Sequence, residues 1–176
     1  MRRLTLLPAL LGSAVMLGAG FAVTVALPAA DAVTRSSTDT TRAYTNGEVD
    51  GREVYVNQGC VYCHTQQVRD TYTDAGLAER PTRPGDTLTD RPGSLGEARF
   101  GPDLRCVGDR APGTADESSS KQALLAAMVD YLRDPGAVRR DSGMPSYGHL
   151  SDTELERLAM YLVGLSCGDP AAEVAE

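Results

Sequence analysis

Cys60, Cys63 and His64 lie in the run GREVYVNQGCVYCHTQQVRD, which holds two of the chain's four cysteines and one of its two histidines. Two thiols at that spacing, followed directly by an imidazole, support three chemistries. A structural zinc site needs four ligands, usually including a second Cys/His pair. The remaining candidates, Cys106, His149 and Cys167, are scattered singly. A redox-active C-x-x-C follows a strand and opens a helix in a βαβ setting. Here a helix is expected before the motif, and no strand pattern precedes it. The third chemistry is covalent haem c, for which C-x-x-C-H is the attachment signature. The thiols add across the two haem vinyl groups, whose separation their spacing matches. The next residue then lies under the iron and offers an imidazole nitrogen. One haem c, attached through Cys60 and Cys63 with His64 as axial ligand, is the reading that fits.

An electron-transfer haem c commonly carries a methionine on its other face, which raises the reduction potential. Met128 and Met160 fall within apolar helical patterns, where methionine usually fills gaps in a core. Met144 lies instead in the loop RRDSGMPSYGHL, directly before Pro145, which stiffens it. Met144 is therefore the expected second ligand, with His149 as its rival. The proximal imidazole also needs its other nitrogen held by a hydrogen bond. In GPDL the Pro102 carbonyl is a candidate acceptor, and Gly101 permits a close approach.

Helices must position these groups. One is expected over residues 49–58, with Val49, Val54 and Tyr55 on its buried side. A second is signalled in SSSKQALLAAMVDYLRDP, with a serine N-cap, an apolar stripe of Leu124, Leu125, Met128, Val129 and Leu132, and Pro135 as its stop. The third opens on a Ser151/Glu154 capping box, carries Leu155, Leu158, Leu162 and Leu165, and is expected to end at Cys167–Gly168. Residues 65–101 are rich in proline and glycine and read as a long loop that needs an organiser, for which a large cofactor would serve. No strand pair is evident. The fold class is all-α: a small domain with long loops.

The net charge of −7 argues against nucleic-acid binding. All but one of the seventeen basic residues are arginine, so no lysine cluster steers an acidic partner. After Arg2 and Arg3 the chain is uncharged from Leu4 to Ala30. A membrane span needs roughly 20 apolar residues, more than a signal-peptide core of about 7–15. Length favours an uncleaved anchor with its arginines on the cytoplasmic side, while Ala30–Ala32 offers a competing cleavage site. Either way the rest of the chain lies outside the cytoplasm. The expected organisation is an N-terminal anchor or signal sequence over residues 1–32, a polar linker over 33–47, the haem domain over 48–168 and an acidic tail over 169–176. In that oxidising compartment Cys106 and Cys167 are either small buried thiols or a disulfide.

GREVYVNQGCVYCHTQQVRD, followed by GPDL and SGMPSYGHL, resembles the membrane-anchored mono-haem subunit (subunit II, the O subunit) of cbb(3)-type cytochrome c oxidases. The resemblance covers roughly residues 42–70, 99–110 and 133–150, and it departs from the family pattern in lacking tryptophan and in placing Cys106 after GPDL. It implies a class I cytochrome c-like domain behind a transmembrane helix, with His64 and Met144 as axial ligands and Pro102 supporting His64. It also implies an electron relay from a donor cytochrome c or copper protein to the catalytic subunit of a haem–copper oxidase. The polypeptide would have no catalytic centre of its own. Arg69, Arg99 and Arg110 flank the haem-binding segments and face either propionates or solvent. The haem subunit of a nitric oxide reductase-type complex and a haem c gas sensor are the alternatives.

Overall fold

The computed structural model describes residues 3–34, 42–78, 80–87, 95–96, 98–110 and 121–167. The chain divides into two compact units, Met1–Ser36 and Ser37–Glu176. In the first, helix α1 (Arg3–Phe21), a π-helical turn (Ala22–Ala26) and α2 (Leu27–Thr34) run on from one another. Within them Leu7–Asp31, 25 residues, is long and apolar enough to cross a membrane. The π turn has a local cause. Pro28 lacks an N–H and its ring crowds the carbonyl one turn back, and the helix widens immediately before it, with the Leu27 N–H reaching the Ala22 carbonyl.

The second unit is helical, with no strand among the described residues. Its main elements are α3 (Asn46–Asn57), α4 (Val107–Arg110), α5 (Lys121–Arg133), α6 (Pro135–Val138) and α7 (Asp152–Val163). Helix α3 starts three residues before the expected boundary. Thr45 and Glu48 form a capping box, and the Arg42 guanidinium bridges Glu48 to the Gly164 carbonyl. Residues from Arg42 onward, inside the segment read as a linker, thus belong to the packing of this unit. Of the three residues expected on the buried side of α3, Tyr55 is buried and Val54 packs half-buried against the core, but Val49 is not. Val49 is 52% exposed, and Gly47, Glu48, Gly51 and Tyr55 face inward. Their spacing of three to four residues lays them along one helical face.

That face exists because α3 and α7 cross very closely. A Cβ on Gly51 would meet the Arg157 carbonyl and stand 2.9 Å from Tyr161 Cβ. Tyr161 then packs between Tyr44 and Tyr55, with ring centroids 5.6 and 5.4 Å away. Its hydroxyl pairs with the buried Gln66 amide at 3.0 Å. Gly51→Ala is therefore expected to destabilise the fold by about 1–3 kcal/mol, despite alanine's better helix propensity. Denaturant unfolding of the full chain measures this, and wild-type stability would show that the two helices can part without cost.

Helix α5 buries Met128 and Leu132 and leaves Leu124, Leu125 and Val129 half-buried, as its stripe predicts. Its expected serine cap lies outside the described residues. Pro135 ends α5 and opens α6, where Asp134 caps and a proline in the first turn needs no partner for its missing N–H. Helix α7 begins at its Ser151/Glu154 capping box and buries Leu155, Leu158 and Leu162. It stops at Gly164, short of the expected Cys167. The chain there turns extended, so that the Leu165 carbonyl can accept from the Gly108 N–H and Cys167 can reach Cys106. The acidic tail, 169–176, lies outside the described residues.

The long loop has an organiser that composition did not reveal: buried carboxylates. Asp74, Asp86 and Asp103 are each at most 5% exposed. Asp86 takes a bidentate pair from Arg80 at 2.7 and 2.8 Å and a backbone N–H from Arg83 at 2.8 Å. Buried carboxylates satisfied in this way hold irregular backbone in place where no helix or sheet does.

Candidate haem site

Gly59, in the left-handed conformation at φ 72°, ends the chain's run through α3 and turns it into the short 3-10 turn Cys60–Tyr62. The Cys63 and His64 N–H groups both donate to the Cys60 carbonyl, at 3.2 and 3.0 Å. This compact turn buries Cys60 and His64 and leaves Cys63 exposed. The two thiols are not bonded to each other. Burial pushes the Cys60 thiol up to about 11, offset in part by a hydrogen bond from Tyr147. Burial, together with that sulfur, likewise raises Tyr147 to about 12.

The His64 ring is held from one side. Its Nδ1 lies 2.7 Å from the Pro102 carbonyl. A carbonyl only accepts, so Nδ1 carries the proton and Nε2 keeps its lone pair for a metal. Gly101 makes this approach possible: a Cβ there would stand 2.8 Å from Nδ1 and 2.9 Å from Nε2. The two strips of chain are joined on either side of that contact by Gly101 N–H to Cys63 O at 2.8 Å and Leu104 N–H to Thr65 O at 2.7 Å.

Met144 is half-buried against the core. Its loop is fastened to the end of α5 by Ser146 Oγ donating to Arg133 O at 2.6 Å and Tyr147 N–H to Leu132 O at 3.0 Å. Through Tyr147, three residues after Met144, this loop touches Cys60. His149 is exposed, and its Nε2 is 3.1 Å from the Gln58 side-chain carbonyl. Cys106 and Cys167 form a disulfide with Cα atoms 5.0 Å apart. Their sulfurs are committed to each other, which leaves the zinc alternative without its extra thiolates. Two thiols not bonded to each other, an imidazole whose Nε2 keeps its lone pair and a cradle that only glycine leaves open fit a haem with its iron held by His64.

Arg69 and Arg99 have inward partners. Arg99 uses all three guanidinium nitrogens: Nε to Thr65 Oγ1 at 2.7 Å, Nη1 to Asp74, and Nη2 to Asp103 at 2.9 Å and to the Gln67 carbonyl at 2.8 Å. Arg69 donates through Nε to Asp74 at 3.2 Å. The side chain of Arg110 lies outside the described residues. Sequence reading missed Asp74 and Asp103 altogether, because an aspartate in a polar loop carries no signal of burial.

Asp74's carboxyl is held well below the usual range by the Arg99 and Arg69 guanidinium groups and the Arg69 N–H, against its burial. A folded pKa below the unfolded value stabilises the fold above that unfolded value, near 4. The contribution is lost as pH falls through the folded value. Glu48 has the same sign: burial raises it, but Arg42 and Thr45 win. Melting of wild type is therefore expected to fall steeply below about pH 4, with Asp74→Asn starting lower and falling less. Parallel acid limbs would contradict this role.

No curated protein aligns significantly with the chain. Residues 2–162 match the family described as cytochrome C oxidase, mono-heme subunit/FixO. That span includes the apolar N-terminal helix, the Cys60–His64 turn, the GPDL strip and the Met144 loop. The chain therefore belongs to the FixO family, the mono-haem subunits of cytochrome c oxidase.

Proposed function

We propose that this chain is an electron relay, holding one haem c by thioether bonds from Cys60 and Cys63 with His64 and Met144 as axial ligands. It takes an electron from a donor cytochrome c or copper protein and delivers it to the haem–copper catalytic subunit of the oxidase. The N-terminal helix anchors it as a single span, with the haem domain on the extracytoplasmic face. The observation that carries the ligation is the 2.7 Å contact between His64 Nδ1 and the Pro102 carbonyl.

Haem, when bound, supplies a one-electron iron couple; the protein's part is to hold it and set its potential. His64 presents Nε2 in a fixed orientation, and the Pro102 carbonyl raises its basicity by drawing on the Nδ1 proton. Met144 supplies a thioether, which favours the reduced state. The exposure of His149, and its engagement with Gln58, favour Met144 over it as second ligand. The fastened Met144 loop limits reorganisation between redox states.

The test is whether haem absorbance stays with the polypeptide after denaturation. It is expected to persist in wild type and to be lost in Cys60→Ser/Cys63→Ser. Haem that extracts from the wild-type chain would refute the covalent reading. Oxygen uptake by the purified complex, and not nitric oxide consumption, is expected to depend on this chain.

A further inference from the structure

Three candidates stand out: the exposed aromatics Tyr62 and Phe100, the Cys106–Asp109–Cys167 cluster, and the buried carboxylate Asp103. Nothing on the surface says what would cover the aromatics, and the cluster's sulfurs are spent on the disulfide.

Asp103 is 1% exposed and directly follows Pro102, whose carbonyl holds His64. Its Oδ2 accepts from Thr65 Oγ1 at 2.6 Å, the Gln67 N–H at 2.9 Å and Arg99 Nη2 at 2.9 Å. Its Oδ1 accepts from the Arg105 N–H at 2.9 Å. One carboxylate thus fastens the chain just after His64 to the chain just after Pro102. Arg99 doubles the link by donating to Thr65 Oγ1 and to Asp74. Peptide geometry makes neighbouring groups move together, so the position of the Pro102 carbonyl depends on this clamp.

We infer that Asp103, with Thr65 and Arg99, is a positioning device that sets the His64–Pro102 hydrogen bond and through it the reduction potential. The inference rests on His64 being the haem ligand. A strong Nδ1–H···O bond makes the imidazole a better donor and favours ferric iron. Loosening the clamp lengthens that bond and raises the potential.

The experiment uses the full-length holoprotein in detergent, as wild type, Asp103→Ala and Thr65→Val. Thr65→Val removes one arm of the clamp without altering charge, which separates positioning from the loss of a buried negative charge. It also serves if Asp103→Ala does not fold. Thr65→Val is expected to shift the electron equilibrium with a fixed mediator about tenfold toward reduced haem, which is 59 mV for one electron. Solvent exchange of the His64 Nδ1 proton, followed by NMR, is expected to accelerate in the same variant. Asp103→Ala should move both readouts further. If Thr65→Val lowers the melting temperature while potential and exchange stay at wild type, the residues merely hold the fold and the inference fails. A wild-type chain without covalent haem overturns the functional reading as well; holoprotein with unmoved potentials overturns the positioning role alone.

Discussion

A Met144→Ala chain is expected to keep its haem and to lose its potential. On the proposed attachment the thioether bonds belong to Cys60 and Cys63, and His64 keeps its carbonyl partner, so attachment is expected to survive. What would disappear is the proposed sulfur ligand, which favours ferrous iron. A fall of more than about 100 mV is expected, given how widely axial ligands move haem potentials. The opened coordination position should let the reduced variant bind carbon monoxide, which wild type is expected to resist. Met144→His separates the two effects: it restores six-coordination and carbon monoxide resistance while leaving the potential low. His149→Ala should change neither readout, because that ring is exposed and paired with Gln58. A Met144→Ala chain with wild-type potential would remove Met144 from the iron and bring the gas-sensor alternative forward. The loop itself should survive the change. Its fastening to α5 runs through Ser146 and Tyr147, and neither uses the methionine side chain.

The second large effect is on stability. Cys106 and Cys167 are separated by 61 residues, and their bond closes a loop that includes α5, the Met144 segment and α7. On the chain-entropy account, a closure of that length disfavours the unfolded state by about 4 kcal/mol. Cys106→Ser/Cys167→Ser is expected to lower the melting temperature by roughly 10–20 °C. The folded haem spectrum should be unchanged, since neither residue is among the proposed haem ligands. Cys106 also has φ of 60°, in the left-handed region that side chains disfavour. Cys106→Gly/Cys167→Ser should consequently recover part of the loss, on the order of 1 kcal/mol. Equal melting of both double variants and wild type would mean that the bond adds nothing to stability. Asp109 offers local support after the bond is gone, because it accepts the Cys167 N–H at 2.7 Å and also engages Ser166.

Local chemistry was legible wherever it was written in adjacent residues. The C-x-x-C-H run, the Ser151/Glu154 capping box and the stripe of Leu155, Leu158 and Leu162 depend on spacing within one element. Spacing is what a sequence displays. The burial pattern of α3 holds at Tyr55 and Val54 and departs from expectation at Val49, for a physical reason. Its inward face is built from Gly47 and Gly51, whose value lies in having no side chain, and from Glu48, a charge made tolerable by Arg42 and Thr45. A hydrophobicity pattern weights Val49 above all three.

Sequence by itself determined that the chain has an N-terminal helix able to cross a membrane and a C-x-x-C-H run followed by two amphipathic helices. Each of these follows from residue types at short, fixed separations along the chain. The Pro102 carbonyl, a candidate from GPDL, meets His64 in the structure; tertiary structure alone decided that Arg99 turns inward to Asp74 and Asp103 and that Asp103 ties the two strips of chain beside the imidazole. The contacts of Thr65 and Gln67 with Asp103, and of Arg99 with Asp74, join residues 25 or more apart across an irregular loop, where no periodicity links one partner to the other. Only the folded backbone brings a carboxylate and its donors within 3 Å.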